Sequence, residues 1–192
     1  MSELWTIPKG GFRNHVAPVS DANPLAVYQP DDPSDIRSSP PAAGRTRTYA
    51  LTIPGIGVSS AYADKDCLGT LMEFPNMLRE NKRSGLIHTV TYFDLDDEGL
   101  AVDVHFFNRA IASPGNDNAA FAPSDAEALA YIGTASFSAF SDFNTSQVSS
   151  GAYYIAVPPQ GGTSIFAHAQ ARGALNIAAG HLPVIRICVL PD

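Results

Sequence analysis

Charge is scarce in this chain. Asp, Glu, Lys and Arg make up 16 % of its 192 residues, and the twelve Lys and Arg never cluster. The densest basic run is RTR, Arg45 to Arg47. The net charge is −7. An acidic surface without a basic stripe repels phosphate, so no nucleic-acid partner is expected. Long apolar runs are also missing. Nothing approaches the roughly eighteen unbroken residues of a membrane helix, so no membrane span is expected. The opening MSELWTIPKGG has no basic stretch followed by an apolar one, so no secretory signal is expected.

Cysteine is nearly absent. Cys67 and Cys188 have no CxxC spacing and no histidine beside them, which argues against a zinc site. The simplest reading is two small thiols buried in strands; spacing alone leaves a disulfide open. No G-x-S-x-G, P-loop, H-E-x-x-H or G-x-G-x-x-G run occurs. PPQGGTS is glycine-rich but lacks the lysine of a phosphate loop, so it reads as a turn. No period of 20 to 50 residues points to a propeller or solenoid. From the residues, no catalytic group, cofactor or metal is expected.

Proline and glycine are plentiful, fifteen of each. Seven prolines fall in the first 44 residues: Pro8, Pro18, Pro24, Pro30, Pro33, Pro40 and Pro41. Proline fixes φ and removes a donor, so this stretch can be neither a central strand nor a helix. Its apolar residues, Trp5, Phe12, Leu25, Val27 and Tyr28, are spaced like anchors along an extended arm. A wholly disordered tail is not expected to carry such residues. Residues 1–45 are therefore read as a Pro-rich arm docking on a neighbouring subunit, and 46–192 as the folded domain.

From residue 46 the pattern turns to short strands between turn signals. RTRTYALTI puts Tyr49, Leu51 and Ile53 on one face. DCLGTLMEF, GLIHTVTYFD, LAVDVHFFN, YIGTASFSAF, GAYYIAVP, TSIFAHAQA and LPVIRICVLPD follow. Ser124 and Glu127 form a capping box, and Ala126 to Tyr131 suits a helical turn or two. The Ser-rich FSAFSDFNTSQVSSG reads as a surface loop, with Phe137 in the core. Eight or nine short strands and one brief helix predict an all-β chain: a β-sandwich or jelly roll with an extended N-terminal arm.

YFDLDDEGLAVDVHFFN carries the densest acidic cluster. Asp94, Asp96, Glu98 and Gly99 match positions 1, 3, 5 and 6 of a calcium loop. Val102 and His105 then stand at positions 9 and 12, where ligands are needed, so the calcium reading fails. The alternative is a hairpin turning at DLDDEG, with Ile87 opposite Phe106, Thr89 opposite Val104, Thr91 opposite Val102 and Phe93 opposite Leu100. Those residues would face the core. The other face would join His88 to His105 beside Asp103. Two histidines and a carboxylate can bind zinc or iron or do acid–base work. With no third well-placed ligand, a solvated or interface histidine pair is the expectation.

The order of several short runs resembles a group of small proteins encoded among the structural genes of tailed bacteriophages. Its elements here are A-Y-A-x-x-D-x-L-G (Ala61, Tyr62, Ala63, Asp66, Leu68, Gly69), F-F-N (Phe106 to Asn108), D-N-A-A-F (Asp117 to Phe121), I-G (Ile132, Gly133) and the closing LPVIRICVLPD. It spans Tyr49 to Asp192. The resemblance implies a virion structural protein that decorates or cements the head, without catalytic residues. Its implied partner is the phage major capsid protein, its place the capsid exterior, and its site of assembly the host cytoplasm. A trimer is the self-association it implies. The Pro-rich arm is longer than the basic domain of that group requires. Two other classes stay open: another phage component (tail, adaptor or head fibre), and a carbohydrate-binding β-sandwich presenting Tyr92, Phe107, Tyr153 and Tyr154.

Overall fold

A computed structural model describes residues 46–57, 61–99, 101–112 and 115–192. The expected arm, with Trp5, Phe12, Leu25, Val27 and Tyr28, lies outside the described residues. Eleven strands are present among them: β1 (Arg47–Thr52), β2 (Ala61–Tyr62), β3 (Cys67–Phe74), β4 (Gly85–Asp94), β5 (Val102–Phe107), β6 (Tyr131–Phe137), β7 (Ser141–Asp142), β8 (Gln147–Val157), β9 (Ile165–Ala171), β10 (Leu175–Asn176) and β11 (Val184–Pro191). One turn of helix, α1 (Asp125–Ala128), precedes β6. Among the described residues no helix is long and apolar enough to cross a membrane.

The strands form a β-sandwich, as the turn-rich pattern predicts. One sheet has the order β1-β11-β4-β8-β7 and the other β3-β9-β5-β6, all pairs antiparallel. A small β2-β10 ribbon stands apart. Side chains alternate along each strand. Ile87, Val90 and Tyr92 of β4 and Ile185, Ile187 and Val189 of β11 meet Val102, Val104 and Phe106 of β5 in one core. Burying each such side chain contributes about 1.5–3 kcal/mol. Phe137 is in this core, as expected.

Four readings need correction. First, β4 and β5 are not a hairpin. β4 pairs with β11 and β8, and β5 with β6 and β9, in the opposite sheet. Their apolar rows do face each other, but across the core through side chains. Alternation specifies which face is buried, not whether the facing strand is bonded or stacked. Second, a bulge between Ile87 and Thr89, where His88 has no partner on β11, resets the alternation of β4. The buried row continues as Val90 and Tyr92, so Thr89 and Phe93 turn outward. One extra residue moves every later side chain to the other face. Third, the Ser-rich stretch is not all loop, because Ser141 and Asp142 pair with Val148 and Gln147. Fourth, helix α1 stops at Ala128, and Tyr131 already begins β6.

The acidic loop is the corner that carries the chain from one sheet to the other. Packed sheets lie about 10 Å apart, more than a two-residue turn can cross. The buried Asp94 carboxylate organises the corner by accepting N–H groups from Asp96 (3.0 Å), Glu98 (3.1 Å) and Gly99 (2.7 Å). Asp96 in turn accepts from the Ala178 N–H (2.6 Å) and Glu98 from the Asn176 N–H (3.2 Å). All three carboxylates at calcium-loop positions hold backbone donors instead.

The outer face of the four-stranded sheet is covered by the long connection from β5 to β6. Phe107, Ile111 and Ala130 make a second small core there, joined by Leu71, Phe121 and Phe166. Strand β9 is consequently buried on both faces, which explains the full burial of His168 in its outward row.

Candidate functional site

The corrected pairing takes the histidine pair apart. His88 is in the five-stranded sheet, with its ring edge-on to Tyr154 at 5.1 Å. His105 and Asp103 are in the four-stranded sheet. Asp103 is in an ion pair with Arg172. Among the described residues no group of three His, Cys, Asp or Glu is placed to hold a metal ion.

His105 has other neighbours. Its cross-strand partners are Thr134 on β6 and His168 on β9. A directed hydrogen-bond chain runs through it. Gln170 Nε2 donates to the Lys65 carbonyl (3.2 Å), which leaves Gln170 Oε1 to accept from His105 Nε2–H (3.1 Å). His105 Nδ1 then accepts from the Thr134 hydroxyl (2.7 Å), and Thr134 Oγ1 accepts from the Tyr131 hydroxyl (2.8 Å). The imidazole lies flat on Phe121, with centroids 4.7 Å apart.

Both histidines are held neutral. Burial pushes the His105 pKa below its ordinary value, against hydrogen bonding from Gln170 that raises it. Burial also lowers His168, and the neighbouring His105 adds to the shift. His168 Nδ1 donates to the Ala169 carbonyl (3.0 Å), and its Nε2 has no partner.

A cavity of about 280 Å³ opens above this network, lined by His105, Phe107, Phe121, Pro123, Tyr131 and Thr134, with Ala128 at its side. A hydroxyl donating to an imidazole is half of an acyl-transfer site. The group on the far side of the imidazole, however, is a neutral amide rather than a carboxylate. No carboxylate hydrogen-bonds His105; burial outweighs what Gln170 and the nearby Asp103 give its protonated form. The network's plain effect is to fix side chains beneath an apolar hollow.

The aromatic residues expected to form a sugar platform do not form one. Tyr92 and Phe107 are buried, and Tyr153 is half-buried with its hydroxyl donating to the Ser136 carbonyl (2.6 Å). Tyr154 alone of the four is exposed, on β8 of the five-stranded sheet. The cysteines are in different sheets and form no disulfide. Cys67 is buried as expected, and burial pushes its thiol up to about 11. Cys188 is half-buried, with the Thr48 hydroxyl 3.7 Å from its sulfur.

A second centre, missed in the sequence, joins two of its motif runs. Asp117 of D-N-A-A-F accepts from the Tyr62 hydroxyl (2.8 Å) and from the Gly69 (2.7 Å) and Gly57 (2.7 Å) N–H groups. Around it the Cys67 N–H donates to the Ala119 carbonyl (2.7 Å), and the Phe121 N–H to the Lys65 carbonyl (2.9 Å). Gly69 sits at φ +69° on a bulge of β3, where a Cβ would come within 2.2 Å of the Pro54 carbonyl. Only glycine fits there without moving backbone.

No protein-family model matches the chain, and no curated protein matches it. Among solved structures, one of the infectious bursal disease virus, Gt strain, aligns with 77 % of this chain and 37 % of its own, at 16 % identity and a TM-score of 0.26. The chain spans well under half the length of that protein, and at this TM-score the viral protein's role does not transfer to it.

Proposed function

We propose that this chain is a non-enzymatic structural protein of a phage virion. In this reading it binds the outside of the capsid shell and stabilises the shell by bridging its subunits. One observation carries the reading. The runs on which the resemblance to tailed-phage structural proteins rests are far apart in sequence but converge at Asp117, where Tyr62, Gly69 and the 117–121 segment are bonded together. These residues hold backbone in place rather than present reactive groups.

Two of the buried carboxylates, Asp94 and Glu127, behave alike, while Asp103 pairs with Arg172. Asp94 holds the corner between sheets, and Glu127 accepts from the Ala112 (2.6 Å) and Ser124 (2.9 Å) N–H groups. A sandwich stapled in this way suits a part that must keep its shape under load. Many weakly bound copies on one shell gain strength by avidity. The partner in this reading is the major capsid protein, with self-association on the lattice, no cofactor, and assembly in the host cytoplasm.

The test is co-sedimentation of the full chain with expanded capsids that lack it. Saturable binding and a shell that withstands more heat are expected. Absence of binding, with a stable soluble oligomer instead, would overturn the reading in favour of a tail or adaptor part.

A further inference from the structure

The two outer faces of the sandwich differ. Ile111, Phe121 and Ala130 of the β5–β6 connection pack over the four-stranded sheet, while on the five-stranded one outward residues such as Thr48, Ala50, Ser150 and Ala152 are exposed among the described residues. The outer face of the five-stranded sheet is also unlike the rest of an acidic chain. The chain has 19 Asp and Glu. None occupies an outward position on β1, β11, β4 or β8; Asp94, at the end of β4, points inward and is buried. The outward residues are small and uncharged, such as Thr48, Ala50, Val148, Ser150 and Ala152.

One cation stands among them. Arg186, on β11, lies 4.9 Å over the Phe93 ring and is paired with Thr91 in register. An aromatic anchor stands toward one end. Tyr154 is 61 % exposed and packs on His88. Its φ of +52° falls where β8 bulges, with Tyr153 and Tyr154 opposite the single residue His88, and the bulge turns the Tyr154 ring outward. Arginine and tyrosine are the side chains most often found at the energetic centre of interfaces.

We infer that the outer face of β1, β11, β4 and β8, free of carboxylates and bounded at its edge by β7 with the exposed Asp142, is the docking surface, and that it takes a flat, otherwise uncharged patch of the capsid shell protein with one carboxylate opposite Arg186. The inference rests on the structural role proposed above. Four long strands at about 4.8 Å spacing and about 3.3 Å per residue give a face on the order of 600 Å². That is close to the roughly 800 Å² per partner of a stable interface. A second copy of this chain is the poorer occupant. Arg186 is on β11, beside the middle of the sheet, so a two-fold pairing of identical faces brings two guanidinium groups together. An anionic or neutral partner approaching this acidic chain meets least repulsion here.

The test measures binding of full-length variants to capsids by co-sedimentation, with thermal midpoints confirming that each folds. Ala152→Glu and Ser150→Glu put a carboxylate on the face and should weaken binding tenfold or more. Arg186→Glu should abolish it, and Ala152→Lys, of similar bulk, should be milder than Ala152→Glu. Leu129→Glu, 86 % exposed outside this face, should change affinity less than twofold. Face variants that bind like the unaltered protein overturn the docking surface and leave the structural role standing. Failure of the unaltered protein to bind removes both the role and this partner. Loss of self-association in the face variants, with shell binding intact, identifies a second copy as the occupant and overturns the inference as well.

Discussion

Removing the Asp117 carboxylate should show how far a single side chain holds the loops of this sandwich. Asp117→Ala deletes one acceptor that serves three donors at 2.7–2.8 Å. Hydrogen bonds to a charged group contribute about 1.5–3 kcal/mol each, so the simple sum is an upper bound of several kcal/mol. Asp117 is half-buried, and water can satisfy part of what is lost, so about 3 kcal/mol is expected. For a unit of this size that lowers the thermal midpoint by about 6–12 °C. The sharper measurement is a double-mutant cycle with Tyr62→Phe, read by urea unfolding. The Tyr62 side chain is 2 % exposed, so without Asp117 its hydroxyl becomes a buried donor with no acceptor. Tyr62→Phe should therefore cost about 1.5 kcal/mol in the unaltered protein and about nothing once Asp117 is gone. Equal costs in the two backgrounds would refute the staple, because the hydroxyl and carboxylate would then be energetically independent.

Acid should loosen the four-stranded sheet. Burial lowers the folded-state pKa of both His105 and His168, so their neutral forms stabilise the fold above the unfolded value of about 6.5, and that stability is lost as pH falls below it. Groups facing the pair include Asp103 and Asp117, which favour protonation, and Arg172, which opposes it. The thermal midpoint should drop between pH 7 and 5, and a His105→Gln/His168→Gln variant should show a flatter profile over that range; an unchanged slope would count against it. Gly69→Ala should cost more than about 3 kcal/mol, since its Cβ would collide with backbone at a left-handed φ; a midpoint within 2 °C of the parent, on the order of 1 kcal/mol, would contradict that geometry.

The candidate site was only partly legible beforehand. Period two puts His105 and Asp103 on one face of β5, and the structure has them there. Their partners were not legible, since Thr134 and Gln170 reach His105 from β6 and β9, some 30 and 65 residues away in sequence. A signal existed in YIGTASF and IFAHAQA, where polar residues alternate with small apolar ones. Nothing in either run says which polar row lies beside which. The hollow lined by Phe121 and Tyr131 depends on the same choice, because Phe121 comes from a loop rather than a strand.

Local order along the chain did determine much. Alternation located nearly all the long strands, the capping box marked α1, and the apolar rows of β5 and β11 are the ones buried. Period two is a property of the extended backbone, so it survives in sequence. Partner choice is not such a property. A strand with one buried face is satisfied equally by a bonded neighbour carrying the next row of side chains or by a sheet stacked opposite. Only the packed structure decided that β4 and β5 face each other across the core. The bulge at His88 shows the other limit: one residue without a partner on β11 reversed the outlook of Thr89 and Phe93, and with it placed Phe93 beneath Arg186 on the outer face.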